Sequence, residues 1–172
     1  MAVLPIITAP DPRLKLKSKP VSVIDAEVRR LLDDMVETMY AAPGIGLSAI
    51  QVGIARRLIV VDAARGEERQ QPLCLVNPAI VWHSAERVSV EEGCLSLPEQ
   101  YDDLERPARI RVRFLDAQGV NQEREADGLL ARCIQHEMDH LDGVLFVDRL
   151  SAVKRNMILR KLIKARRQRA SG

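Results

Sequence analysis

The sequence contains no apolar stretch that approaches the ~20 residues needed to span a membrane, and its first residues lack a basic start followed by an apolar core. Cysteine is also scarce. The three cysteines are an odd number without framework spacing, which argues against structural disulfides and for a reducing compartment. These absences predict a cytoplasmic protein with no membrane partner. Histidine is equally rare, with three in the chain, so two of them close together require an explanation.

The rest of the composition is that of an ordinary globular chain. Its 172 residues with 47% hydrophobic content are enough for one domain to bury a proper core. We therefore predict a single domain over residues 1–172, of which residues 151–172 form a basic C-terminal helix and tail. We also predict a monomer. The net charge of +2 says little about partners when it is taken as a whole.

Hydrophobic periodicity gives a coarse order of elements. It predicts an extended, proline-rich arm, a helix capped by Asp25, several strands, a helix capped by Asp127 and a last helix capped by Ser151. The predicted ranges are 1–24 for the arm, 57–62, 73–81 and 108–115 for the strands, and 152–167 for the last helix. Strands gathered between an early and a late helix predict an α+β fold, with antiparallel sheet wrapped around the helix that follows Asp127.

That helix carries the sequence Gln135-His-Glu-Met-Asp-His140. At ~100° per residue His140 lies ~40° round from His136 and one turn further along, so both imidazoles can reach one divalent cation. Two neutral imidazoles suit zinc or ferrous iron, and Glu137 beside them can take the proton of a metal-bound water. The alternative is an exposed helix that carries two histidines and a glutamate by chance.

A catalytic metal needs a third protein ligand, and the thiols are the strongest candidates. Beyond His140 the chain contains no further Glu or His, so the third ligand is expected upstream. Cys133 lies ~10 Å along the helix axis from His140 and is interpreted as a pocket wall. Cys74 stands in an apolar run and is interpreted as core. Cys94 stands in Glu91-Glu-Gly-Cys-Leu-Ser96, where no apolar periodicity surrounds the thiol and where a plain turn is the alternative.

Three segments taken together resemble the peptide deformylases, the enzymes that remove the formyl group from the initiator methionine of bacterial nascent chains. They are Gly44-Ile-Gly-Leu-Ser-Ala-Ile-Gln51, Glu91-Glu-Gly-Cys-Leu-Ser96 and Gln135-His-Glu-Met-Asp-His140. The resemblance begins at Val3-Leu-Pro-Ile6 and runs almost to the C-terminus. It implies a hydrolase that acts on N-formylmethionyl nascent peptides with one divalent ion, Fe²⁺ in this family, with Zn²⁺ or Ni²⁺ as substitutes.

The resemblance also implies a role for each site residue. Three ligands would hold the metal, namely Cys94, His136 and His140. The metal would lower the pKa of its bound water, and Glu137 would carry the water proton to the leaving amine. The Gln51 amide and the Leu95 backbone N–H would share the charge on the formyl oxygen. The family more often has Ala and Pro where this chain has Ser48 and Ile50, which leaves the approach of the substrate open.

Substrate contacts follow from the motif helix and from the resemblance. Leu129 and Cys133 lie on the helix face that leads to the two histidines, and with Ile45 they would form an apolar slot for the methionine side chain. The peptide would lie extended, as an added strand, against four residues: Gly44, Ile45, Gly46 and Leu47.

Two other classes of protein stay open from the residues alone. A metallopeptidase would take its third ligand from a downstream Glu or His, which this chain lacks. A non-enzymatic zinc module would use Cys74 or Cys133 as a fourth ligand and so close the site. Such a module has no use for Glu137.

The last helix carries a basic stripe. Its apolar side is predicted to hold Ile158, Leu159, Leu162 and Ile163, and its basic side Arg160, Lys161, Lys164 and Arg167, joined beyond by Arg166 and Arg169. No acidic residue follows Asp148. A solvated face is one interpretation. The other is a footprint for phosphate groups, which predicts docking on ribosomal RNA near the exit tunnel.

Overall fold

The computed structural model describes residues 2–64 and 71–171. This part of the chain contains three helices: α1 Ala26–Ala41, α2 Gly128–Leu141 and α3 Ala152–Ser171. Its seven strands are β1 Gly46–Ser48, β2 Leu58–Val61, β3 Leu73–His83, β4 Arg87–Cys94, β5 Leu97–Pro107, β6 Arg109–Leu115 and β7 Asn121–Asp127. Short 3-10 turns occupy Pro12–Lys15, Ala49–Val52 and Phe146–Arg149.

The strands form two antiparallel sheets. Five of them pair in the order β1-β2-β3-β6-β7, while β4 and β5 form a separate two-stranded hairpin. Helix α2 packs against β1, β2, β6 and β7, so the sheet wraps around this helix. The predicted α+β class with antiparallel sheets around the helix after Asp127 is confirmed.

Strand β2 joins the two main parts of the core. All four of its residues are apolar and buried because helices cover both of its faces. Ile59 and Val61 pack in one cluster with Cys133 and Ile134 of α2, whereas Leu58 and Val60 pack in another with residues of α1. The alternation of side chains along a strand therefore divides β2 between α1 and α2, and this division fixes α2 against the sheet.

The N-terminal arm is anchored to the segments that carry the motifs. The Ile7 N–H donates to the carbonyl oxygen of Gln51 at 2.8 Å, and the Ala9 N–H donates to that of Ser96 at 2.8 Å. Leu14 is 1% exposed and lies in the short turn at Pro12–Lys15. The arm therefore holds the backbone of two motif segments next to each other.

The predicted N-terminal caps are right for α1 and α3 and wrong for α2. Asp25 caps α1 through a 3.0 Å bond from the Val28 N–H, and Ser151 caps α3 through a 3.2 Å bond from the Lys154 N–H. Asp127 makes no such bond for α2. It ends β7, and the turn into α2 comes from Gly128 at φ +52°.

Four strands were not predicted: β1, β4, β5 and β7. The last three carry many charged residues, and their only apolar alternation is the short one of Val88 and Val90 in β4. Most of the segment 91–96, for which a plain turn was the alternative, belongs to β4.

Helix α3 runs to Ser171, beyond the predicted end at residue 167. Ile158 and Leu162 are buried in a cluster that includes Leu14 and Phe146. Ile163 is 37% exposed, so its assignment to the packed side was wrong. Within residues 2–64 and 71–171, no helix combines the length and the apolarity required to cross a membrane.

Candidate metal centre

Helix α2 turns the side chains of its motif into the protein. His136 is 8% exposed, Glu137 4% and His140 0%. The imidazole rings of the two histidines meet edge to face, with centroids 5.1 Å apart, as expected for positions one helical turn apart. The alternative of an exposed helix is therefore wrong. Three polar side chains buried together require partners.

The hairpin of β4 and β5 brings Cys94 to these histidines. Cys94 ends β4 and pairs with Leu97 where the hairpin turns. Its Sγ lies 3.3 Å from His140 Nε2. One donor atom each from Cys94, His136 and His140 can be chosen so that all three lie within 4.8 Å of one another. A thiolate and two imidazoles at this spacing are a donor set that suits zinc or ferrous iron.

The other two thiols stay outside this group of donor atoms. Cys133 is buried and donates to the Ile45 carbonyl oxygen at 3.3 Å, and burial raises its pKa well above the ordinary thiol value. Cys74 packs against the cluster beneath α1, where burial raises its pKa to about 11. Both sulfurs stay protonated at neutral pH in the absence of a metal. Among the described residues, neither belongs to the group of donor atoms formed by Cys94, His136 and His140.

His136 has a carboxylate partner that the sequence interpretation missed. Glu92 Oε1 lies 3.0 Å from His136 Nδ1. When the Nδ1–H donates to this carboxylate, the Nε2 lone pair is left for a metal. No sequence signal pointed to this role, because Glu92 and His136 lie far apart in the chain and Glu92 is one of two adjacent glutamates.

Glu92 belongs to a buried chain of charges. Its carboxylate also accepts from Arg106 Nε at 2.6 Å and from Arg132. Arg106 donates onward to Asp139 at 2.9 Å, and Asp139 accepts from Arg149 Nε at 2.6 Å. Burial alone would raise the pKa of Glu92, but hydrogen bonds from His136 and Arg106 lower it to about 2. Glu92 therefore carries its charge at neutral pH.

The two imidazoles differ in their protonation. Burial and the neighbouring His136 lower the pKa of His140 well below its ordinary value, so this ring is neutral. Burial would also lower the pKa of His136, but hydrogen bonds with Cys94 and Glu92 raise it well above the ordinary value. A metal at this place therefore competes with a proton for His136.

Glu137 is buried beside these donors. Its Oε1 makes no hydrogen bond within the described part of the chain, and burial raises its pKa to about 7. On its other side, a Cβ added to Gly46 of β1 would lie 2.7 Å from Glu137 Oε2 and 2.6 Å from Cys133 Sγ. Only glycine allows this close approach. A carboxyl group with a pKa near neutrality is suited to take up and release a proton.

The Gln51 carboxamide lies on the other side of Cys94. Its Oε1 accepts from the Ser48 N–H at 2.9 Å and from the Ser48 hydroxyl at 3.1 Å. Its Nε2 donates to Ser96 Oγ at 3.2 Å and to Cys94 Sγ at 3.6 Å. The donor end of the amide therefore faces the thiol.

A cleft of about 510 Å³ opens onto these groups. Most of the predicted catalytic and substrate-binding residues line it, together with His136: Gly44, Ile45, Gly46, Gln51, Cys94, Leu95, Leu129, Cys133 and Glu137. Leu47 is the exception, because its side chain is fully buried in the core under α1. A larger depression of about 770 Å³ lies beside Asp62–Ala64 and Leu73. None of the three donors lines it.

These observations fit a metal ion. The donor set combines one soft thiol with two imidazoles, and the buried Glu137 Oε1 lacks a protein partner among the described residues. A water molecule or a substrate atom held next to the donors would satisfy that oxygen.

Comparisons with known proteins agree with one another. The family model described as Polypeptide deformylase matches residues 3–156. Peptide deformylase of Phenylobacterium zucineum (strain HLK1) is 56% identical over 164 residues, which cover 95% of this chain and 97% of the relative. Peptide deformylase of Rhizobium meliloti (strain 1021) is 53% identical over 171 residues, with 99% and 98% coverage.

Solved structures give the same result for the fold. The crystal structure of peptide deformylase from Ehrlichia chaffeensis superposes with a TM-score of 0.93 at 43% identity, covering 98% of this chain and 99% of that one. A crystal structure of peptide deformylase from the same organism in complex with actinonin gives a TM-score of 0.90 at 45% identity, with 96% and 98% coverage.

Proposed function

Because the chain belongs to the peptide deformylase family, and so removes the N-formyl group from the initiator methionine of nascent polypeptides, we propose a role for each residue of its site. The single divalent ion is held by Cys94, His136 and His140. The observation that carries this proposal is that donor atoms of these three side chains lie within 4.8 Å of one another.

A divalent ion held by these residues would supply a Lewis acid beside the formyl group and would make a neighbouring water more acidic. The protein residues move the protons. Glu137 takes the proton of the attacking water, and its pKa of about 7 allows it to hold that proton and then release it. The proton passes to the α-amine as the bond between the formyl carbon and the nitrogen breaks. The products are formate and a peptide with a free N-terminus.

Two donors stabilise the charge that develops on the formyl oxygen. They are the Gln51 amide, whose Nε2 faces the cleft beside Cys94, and the backbone N–H of Leu95, the residue that follows Cys94. Donors that are already in place need little reorganisation during the reaction. The hydrogen bonds of Gln51 to Ser48 and Ser96 support this role, because they hold the amide in one orientation.

The cleft receives the peptide. The methionine side chain fits the apolar wall made by Ile45, Leu129 and Cys133, and these three residues line the cleft together. The extended peptide lies against Gly44, Ile45, Gly46 and Leu47. Strand β1 is an edge of its sheet and can therefore accept an added strand through main-chain bonds that ignore sequence. The Leu47 side chain points into the core, so Leu47 takes part through its backbone alone.

The working metal is Fe²⁺, which we propose by family resemblance, with Zn²⁺ or Ni²⁺ as substitutes. The donor set supports all three ions. Over its full length the chain acts as a monomeric catalytic domain in the cytoplasm. Helix α3 docks on ribosomal RNA near the exit tunnel, which the exposed basic residues between Arg160 and Arg169 support.

The test is an assay of formate release from a formyl-methionyl peptide. The chain is stripped of metal by a chelator and reloaded under nitrogen with iron, nickel or zinc. We expect release by the reloaded protein and none by the stripped protein, and we expect iron-loaded activity to decay in air as the metal and then Cys94 are oxidised. Equal activity before and after stripping would contradict the metal proposal. Cleavage of internal peptide bonds in the same peptide would favour a metallopeptidase.

A further inference from the structure

Ser48 has a buried hydroxyl directly beside Gln51. Ser48 ends β1 and is 0% exposed, and its neighbours Leu47 and Ala49 are also 0% exposed. A hydroxyl in such a place is costly unless it is hydrogen-bonded. It donates to the carbonyl oxygen of the Gln51 side chain at 3.1 Å. An alanine would fill nearly the same space without bringing a polar group into the core.

The Gln51 carboxamide is held at both ends. Two donors, the Ser48 N–H and the Ser48 hydroxyl, occupy its oxygen, and two groups accept from its nitrogen, namely Ser96 Oγ and Cys94 Sγ. The backbone N–H of Ser48 sets the direction of the amide, because a flipped amide would place an NH₂ group against that N–H. The hydroxyl adds a second bond that restrains the position of the amide.

The Ser48 hydroxyl also makes the Gln51 amide a stronger hydrogen-bond donor. Hydrogen bonds arranged in a chain polarise one another, so an amide that accepts two bonds at its oxygen donates more strongly from its nitrogen. The donating end of Gln51 faces Cys94 and the cleft. The Ser48 hydroxyl therefore acts through the group that stabilises the developing charge on the formyl oxygen.

We propose that Ser48 is a positioning residue for deformylation, whose hydroxyl holds and polarises the Gln51 carboxamide. The N–H that makes the long 3.6 Å contact with Cys94 Sγ is then in place to turn to the formyl oxygen, while the other N–H stays on Ser96 Oγ. This proposal rests on the role of Gln51 proposed above. Among the described residues, the hydrogen bonds of the Ser48 N–H and hydroxyl go to Gln51, so the effect of the hydroxyl on the reaction passes through Gln51.

The test uses Ser48→Ala, Gln51→Ala and the double variant, all reconstituted with the same metal. We expect Ser48→Ala to lower kcat about three- to tenfold, the effect of one neutral hydrogen bond, with KM changed by less than about twofold. In the Gln51→Ala background the same substitution should have no further effect, because the group through which Ser48 acts is gone. Metal content and the unfolding temperature should stay at the wild-type level.

Ser18→Ala is the matched control. Ser18 is 3% exposed, and its hydroxyl has no hydrogen-bond partner within residues 2–64 and 71–171. Its removal should leave kcat unchanged. A second readout does not depend on turnover: the side-chain amide resonances of Gln51, identified by their loss in Gln51→Ala, should move in Ser48→Ala and stay in place in Ser18→Ala.

Each contrary outcome has a separate meaning. Full kcat in Ser48→Ala, or an equal loss of kcat with and without Gln51, would overturn the positioning role while leaving the Gln51 role intact. Unchanged kcat in Gln51→Ala would overturn both. If the wild-type protein released no formate with any metal, the proposed metal chemistry would fail, and unmoved Gln51 resonances in Ser48→Ala would independently overturn the contact between Ser48 and Gln51.

Discussion

Among the individual residues of the site, Glu92 combines deep burial with a negative charge. It is 6% exposed, yet its two oxygens serve an imidazole and two guanidinium groups. Removing one partner of such a buried group leaves the others uncompensated, which costs more than the hydrogen bond itself. Glu92 therefore orients the imidazole of His136, the proposed metal ligand, and stabilises the hairpin that carries Cys94.

We predict that Glu92→Gln weakens metal binding by about 10- to 100-fold, the usual effect of removing a carboxylate behind a ligating histidine. It should also lower the unfolding temperature, because Arg106 and Arg132 lose their shared counter-charge. Chelator competition for zinc and thermal unfolding are the measurements. Glu91→Gln is the matched control, since Glu91 precedes Glu92 on β4 and is exposed. Equal metal affinity in the two variants would contradict this role of Glu92.

The second prediction concerns Glu137, the proposed base. Glu137→Gln keeps the three ligands and nearly the same volume, so the metal content should equal that of the wild type. Turnover should fall by at least about 100-fold because a carboxamide cannot take up the water proton. Metal analysis and formate release, measured on the same preparation, check both parts. A fully metallated Glu137→Gln protein with wild-type turnover would rule out Glu137 as the base.

Among the helices and strands, those with a repeating apolar pattern could be predicted from the sequence. Helices α1 and α2 and strands β2, β3 and β6 have such a pattern. Strands β4, β5 and β7 have little of this pattern. Pairing with a neighbouring strand holds them in place, and most of their charged side chains are exposed, with Glu92 and Arg106 as buried exceptions. The existence of these strands depends on contacts between distant parts of the chain.

The residues of the site also divide into those that a local pattern brings together and those that meet only in the folded protein. His136, Glu137 and His140 could be grouped from one helical turn, because their spacing alone brings them together. Glu92 could not, because its partners Arg106, Arg132 and His136 come from β5 and α2, and nothing in the local sequence around Glu92 indicates that pairing. The hydrogen bond between the Ser48 hydroxyl and Gln51 was not predicted either, since a serine beside a glycine segment has many ordinary explanations.

The contact between β1 and α2 gives a prediction for Gly46. Gly46→Ala would push a methyl group against the Cys133 sulfur and the Glu137 carboxylate, so we expect a loss of about 1–3 kcal/mol in stability from overpacking. Turnover should fall as Glu137 moves. Gly44→Ala is the comparison, because its added Cβ meets the flexible end of the Leu95 side chain. Equal unfolding free energies for the two variants, measured by denaturant titration, would contradict the tight contact.

Helix α3 packs one side against the core of the molecule and presents basic residues on its exposed side. Ile158 and Leu162 pack with Phe146, whose ring stacks on His136 with centroids 6.3 Å apart. Removing the entire helix would therefore expose apolar residues close to the metal centre. Substitutions on its exposed face are the cleaner test of ribosome docking.

We predict that replacing Lys161, Lys164 and Arg167 together by Gln weakens binding to ribosomes and reduces its salt dependence, since fewer phosphate contacts remain. Turnover of a short formyl-methionyl peptide should stay unchanged. The control replaces Lys17, Lys19 and Arg30, which are exposed elsewhere, with the same change in net charge. Sedimentation with ribosomes at several salt concentrations is the measurement. Equal binding by the two triple variants would leave the stripe as a solvated face.

One thiol and two imidazoles, brought together from β4 and α2, form the proposed site for the metal ion. X-ray absorption of the zinc-loaded protein identifies its ligands, because sulfur and nitrogen ligands differ in their distance from the metal. The prediction is one sulfur at about 2.3 Å and two imidazole nitrogens at about 2.0–2.1 Å, with the sulfur lost in Cys94→Ser and kept in Cys74→Ser. A sulfur ligand that survives Cys94→Ser, or a site with more than one sulfur, would contradict this set of ligands.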